Sequence, residues 1–139
     1  MEENNNMVGK LREYILKCPY LDKDGKIGVD YLGPNATEYV IETTPVSQIV
    51  EKYITGKAKK QNVFVFASRE YFGPDTIQNM LNSTFYEKFA SWIEKNNDEG
   101  ILPDIKGIES IEVLSTPYAY STDEHTARYQ IQLKIEYIE

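Results

Sequence analysis

His125 is the sole histidine of the chain and the first residue to weigh for chemistry. It sits in Thr122-Asp123-Glu124-His125-Thr126, a polar stretch ahead of the last strand-like segment. A metal site there would have to recruit Asp123 or Glu124 together with distant ligands that no spacing announces, so an exposed loop residue is the simpler reading. Cys18 is also alone, which excludes an intramolecular disulfide and a two-cysteine redox motif and fits a reducing compartment. Its neighbours are apolar, and no serine lies in a nucleophile-elbow pattern. The acidic turn Asp22-Lys23-Asp24-Gly25 invites a calcium loop, but the register fails. With Gly25 at the obligatory glycine position, Tyr20 and Tyr31 occupy the two ends where carboxylates are required. Gly25, Gly28 and Gly33 have neither the spacing nor the following helix of a phosphate cradle. No catalytic, cofactor-binding or metal-ligating set is assigned, and the expected function is non-enzymatic with no cofactor.

What remains is surface. Lys57, Lys59 and Lys60 form a basic cluster that could touch DNA phosphates or an acidic neighbouring subunit, or simply keep a hairpin tip solvated. Tyr118 and Tyr120, flanking Ala119 after Pro117, are candidate subunit contacts because tyrosine is enriched in interfaces; packing inside the domain is the alternative. Charge limits the partners. With 15 Lys+Arg against 22 Asp+Glu the formal charge is −7, the opposite of the basic footprint that gripping nucleic acid requires. A passage through which DNA slides remains compatible, since its walls need not bind.

The 139 residues suffice for one core. Residues 1–6 are expected to be a disordered tail and 7–139 a single domain. Val8, Leu11, Tyr14, Ile15 and Leu16 mark an amphipathic helix closed by Pro19. Ile27, Val29 and Tyr31 alternate between turns, and Thr37 to Thr44 reads as a half-buried strand with Tyr39 and Ile41 inward and Glu38 and Glu42 wet. Residues 46–54 fit either a helix or a strand; strand is favoured, because Gly56 to Gln61 then makes a basic loop into Val63–Arg69 and completes a hairpin. Val63-Phe64-Val65-Phe66 is apolar on both faces, as a central strand must be. Gly73-Pro74-Asp75 ends it and starts a helix over Thr76 to Leu81, which Asn82-Ser83-Thr84 interrupts. A second helix carries Phe85, Phe89, Trp92 and Ile93 at i, i+4, i+7 and i+8, ending near Asn97 with Asp98-Glu99-Gly100. Ile111, Val113 and Leu114 form a strand. Tyr129, Ile131, Leu133, Ile135 and Tyr137 alternate with polar residues in the clearest strand pattern of the chain. This order implies an α+β fold, a mostly antiparallel sheet with helices packed on one face. No segment approaches the ~18 apolar residues of a membrane span, and no export signal is evident.

The segments FVFASREYFG, FYEKFASWIE, the following ILPD, and ARYQIQLKIEY stand in an order that resembles a family of minor capsid or tail-terminator-like proteins of long-tailed bacteriophages that infect Gram-positive bacteria. The resemblance spans residues 8 to 137 and rests on linked segments, with no short chemical motif. It implies a tail-terminator-like fold and a phage or prophage structural protein at the head-to-tail junction, either a tail terminator or another connector ring. It also implies a virion location after assembly in the host cytoplasm, and partners that are copies of itself in a six-membered ring and other tail or connector proteins. DNA would pass through such a ring without specific binding, and no membrane is involved. A small monomeric protein-binding domain and an enzyme of unrecognised type are the competing readings.

Overall fold

The computed structural model describes residues 6–21, 26–30, 32, 38–71, 74, 76–116, 118–122 and 126–139. The acidic turn Asp22-Lys23-Asp24-Gly25, His125 and most of the amino-terminal tail lie outside these residues. Asn6, placed with that tail by the sequence, caps the first helix, α1 (Met7–Ile15), by accepting a hydrogen bond from the Gly9 N–H at 2.7 Å. Leu11, Tyr14 and Ile15 are its buried stripe, while Leu16, expected with them, is exposed.

Among the described residues the sheet has seven strands: β1 (Ile27–Val29), β2 (Glu38–Thr44), β3 (Ile49–Lys52), β4 (Ala58–Tyr71), β5 (Ile108–Val113), β6 (Tyr118–Thr122) and β7 (Thr126–Ile138). The strands lie in the order β1-β2-β4-β7-β5, with β3 beside β4 in line with β2, and β6 beside β7 in line with β5. Only β1 and β2 run parallel; the other pairs are antiparallel. The fold is therefore α+β, with β4 and β7 as its spine, paired over 13 residues from Lys59↔Ile138 to Tyr71↔Thr126.

Pleating sends Tyr39, Ile41, Phe64, Phe66, Ile131, Leu133 and Ile135 to one face. There they pack with α1 and with α2 (Thr76–Asp98) in a single core. The helix is continuous, so Asn82-Ser83-Thr84 does not interrupt it. Asn82 is buried instead of turning the chain: its amide donates to the Tyr71 carbonyl at 2.7 Å, and its oxygen accepts from Gln78 Nε2 at 2.9 Å. A polar side chain that finds tertiary partners no longer competes with the helical backbone. The aromatic stripe holds with one addition. Phe89 and Ile93 are fully buried, Phe85 and Trp92 half-buried, and Tyr86 fills the centre beside Phe66. The helix closes at Gly100, whose φ of +73° is the left-handed conformation glycine adopts without strain.

The other face carries no helix among the described residues, yet Val40, Val65 and Ala67 are buried there, with Leu32 against them. The wet face expected of residues 38–44 is thus dry at Val40. An ion pair accounts for part of the cover. Arg128 on β7 makes two hydrogen bonds to Glu42 on β2, Nη2 to Oε1 at 2.6 Å and Nη1 to Oε2 at 3.2 Å. Since β4 runs between those strands, the bridge passes over it, and Arg128 Nε is held at 3.0 Å by Gln130, the cross-strand neighbour of Ala67. Gln130 is consequently buried, where the alternation alone places it in water.

Candidate functional site

Of residues 46–54, Ile49–Lys52 form the favoured strand, but the hairpin differs from the expected one. The chain turns over Tyr53 to Lys57, where Tyr53 N–H donates to the Lys57 carbonyl at 2.8 Å and Gly56, at φ +90°, donates to the Tyr53 carbonyl at 3.1 Å. Because β4 already begins at Ala58, Lys59 and Lys60 lie in the ladder rather than in a loop. Carboxylates of the last strand and β5 hold them. Lys59 Nζ is 3.7 Å from Glu136 and 3.9 Å from Glu109, and Lys60 Nζ is 2.5 Å from Glu139, which raises the lysine's pKa above its usual value. The expected basic tip is reduced to Lys57, and local composition could not show this because the neutralising acids lie about 50 to 80 positions away in sequence.

Tyr118 and Tyr120 fall on β6, a strand that local pattern does not announce; Tyr118 is opposite Gln130. The side-chain contacts expected of this pair lie outside the described residues. Tyr118 and the paired lysines are not brought together: Lys59 and Lys60 lie on β4, Tyr118 lies beyond β7, and the two are about 25 Å apart along the spine by strand rise.

Two apolar patches emerge on the described surface, one of them on the hairpin that ends at Gly56. The first is the hairpin, where Ile49, Val50 and Tyr53 are exposed and Ile54, in the turn, is fully so. The second lies at the opposite end of β4, where Tyr71 meets the start of α2 and Ile77, Met80 and Leu81 face outward at helical spacing. The available signal was the run Ile49 to Ile54, which places apolar residues on both pleat faces around Glu51 and Lys52 although the strand has a neighbour only in β4 among the described residues.

The described surface depressions are open grooves beside α2. One of about 540 Å³ is lined by Tyr20, Trp92 and Asn96, with the Lys88 ammonium 5.6 Å from the Tyr20 ring centre. Another, of about 320 Å³, runs between the C-terminal end of α2 and β5, lined by Glu94, Asn97, Asp98, Ile111, Glu112 and Val113. Asn97 Oδ1 accepts the Ile111 N–H there at 3.0 Å, so the helix covers part of the β5 edge. Burial raises the Cys18 thiol's pKa, which keeps it protonated near neutral pH and a poor nucleophile. Among the described residues no group of three or more His, Cys, Asp or Glu is placed to hold a metal, and no helix is long and apolar enough to cross a membrane. The arrangement offers hydrophobic and charged contact surfaces. A scan of protein-family models and a search of curated proteins gave no match to this sequence.

Proposed function

We propose that this protein is a non-enzymatic structural component of a phage or prophage, a ring-forming minor capsid, tail-terminator or connector subunit. The observation that carries the reading is the β3–β4 hairpin, which presents four exposed apolar side chains, Ile49, Val50, Tyr53 and Ile54, to solvent in the isolated subunit. Apolar surface gathered on a protruding element is removed from water by association with protein. The segment resemblance supplies the context: copies of this chain and tail or connector proteins are the partners, and the virion is the location. The formal charge of −7 suits a wall along which DNA slides.

A monomeric protein-binding domain is the second reading, favoured by the separate patch of Tyr71, Ile77, Met80 and Leu81, which fits a partner unlike the chain itself. Deleting the gene from a producing phage separates the two. Electron microscopy of the lysate should show filled heads and tails that fail to join, or tails of unregulated length. Normal virions in normal numbers would refute the structural role.

A further inference from the structure

We propose that the β3–β4 hairpin of one copy docks into the groove between the C-terminal end of α2 and β5 of the next copy, joining subunits head to tail. The inference rests on the ring-forming reading and names its contact surface. Cross-strand neighbours run in one row from Ile49 on β3 through Lys60 and Tyr137 to Ile108 on β5. The hairpin and the groove therefore occupy opposite margins of the sheet, about 14 Å apart at three strand spacings, with the groove residues Ile111 to Val113 level with Asn62 to Phe64, two to four residues further along β4 than Ile49. Two unlike surfaces so placed on each subunit make a heterologous contact, which repeats from copy to copy and closes if the rotation allows.

Charge selects the pairing. Lys52 and Lys57 are exposed on the hairpin and have no ion pair among the described residues. The groove sets Glu94, Asp98 and Glu112 around Ile111 and Val113, and of these carboxylates only Glu112 has a described partner, Lys134 at 3.9 Å. With Glu51 exposed beside Lys52 and Lys57 the hairpin carries a net charge of about +1, so hairpin on hairpin gains little, and groove on groove would oppose three carboxylates. Hairpin in groove pairs unlike charges and brings Val50, Tyr53 and Ile54 against Val113, the partly exposed apolar side chain of a mainly polar groove. The contact is made by side chains rather than by sheet extension. Strand β3 is four residues long, its register shifts between Ile49 and Glu51, and it carries a lysine, all of which discourage strand addition; Asn97 occupies the facing edge at Ile111.

Cross-linking tests the geometry. In a Cys18→Ser background, Ile54→Cys and Glu112→Cys proteins are prepared separately, checked for unchanged melting, and treated with a short bismaleimide at high protein concentration. The mixture should give a cross-linked dimer while each protein alone stays monomeric, and a chain carrying both changes should give a ladder of dimers, trimers and higher species. The mixed dimer should fade at high salt and with Lys52→Glu/Lys57→Glu, and return when the groove partner carries Glu94→Lys/Asp98→Lys. Dimers from Ile54→Cys alone, or no mixed dimer, would overturn the proposal. Rings seen by electron microscopy without the cross-link would refute this contact and leave the ring reading standing. A ladder from a protein whose gene deletion leaves tails joined would support the contact and remove the virion role.

Discussion

Replacing Tyr86 by phenylalanine takes one oxygen out of the middle of the core. The hydroxyl donates to the Tyr129 carbonyl at 3.1 Å and lies 2.7 Å from Ser68 Oγ, so Ser68 is the donor in the shorter contact. Ser68 and Tyr86 are both fully buried, on β4 and α2, and Ser68 is the cross-strand neighbour of Tyr129 on β7; one phenol thus ties the helix to both strands of the spine. Each neutral hydrogen bond is worth about 1 kcal/mol net, and a buried hydroxyl left without its acceptor costs about 1–3 kcal/mol more. Tyr86→Phe should therefore destabilise by about 3–5 kcal/mol. Ser68→Ala removes one bond and leaves Tyr86 its carbonyl, for about 1 kcal/mol, and the double variant, which buries no orphaned serine hydroxyl, should be less destabilised than Tyr86→Phe alone by about 1–3 kcal/mol. Urea unfolding followed by fluorescence of the single tryptophan, Trp92, measures all three. Strict additivity, or a Tyr86→Phe protein within about 0.5 kcal/mol of the wild type, would refute the network. A pH series adds a second readout. Burial raises the Tyr86 phenol well above its ordinary value of about 10. Below that pH both native and unfolded chains keep the proton. Above it the unfolded chain releases the proton while the native one retains it. Stability from this group is then lost as pH rises, by about 1.4 kcal/mol per unit, until the native phenol itself titrates. Tyr86→Phe should flatten the alkaline slope by one proton.

Arg128→Ala breaks the bridge over β4 and uncovers Val65 and Ala67. With the pair partly exposed, the cost should fall between the surface and buried limits, about 1–2 kcal/mol by urea unfolding, and Glu42→Gln should lose less because it keeps one acceptor; a neutral Arg128→Ala would show that the bridge does not seal the face. Cys18→Ser and His125→Ala should both leave tail joining intact in a complementation assay, and loss of function with an unchanged melting temperature in either would contradict a non-enzymatic role. Duplex DNA should bind weakly or not at all in fluorescence anisotropy, since Lys59 and Lys60 are already paired with carboxylates. Tight binding that falls about 10³-fold between about 50 and 200 mM salt and is lost on Lys57, Lys59 and Lys60→Gln would instead make this region a DNA grip.

Much of the fold was legible because it is written in local pattern. The alternation from Tyr129 to Tyr137 could only be a strand with one face in the core, and the two-faced apolar run Val63 to Phe66 could only lie inside a sheet. Phe85, Phe89 and Ile93 marked the inner face of α2. What escaped depended on partners distant in sequence. Asn82 reads as a helix breaker until its amide meets Tyr71, Lys59 and Lys60 read as a loop until Glu136 and Glu139 pair with them, and Val40 reads as solvent-facing until β4 lies beside it. Strand β6 lacks a sustained apolar alternation and is set by its pairing with β7. The candidate site was the least legible part. A run such as Ile49 to Ile54 carries the same letters whether its outer surface is covered or bare, and only the strand order shows it bare.

Electron microscopy of the purified protein, alone and mixed with tail tubes of the same phage, bears most directly on the central claim. Ring-shaped particles of a single rotational symmetry should be seen, either free or capping the tube ends as the tube templates subunits that are monomeric in isolation. Persistent monomers at high concentration, with bare tube ends in the mixture, would contradict it.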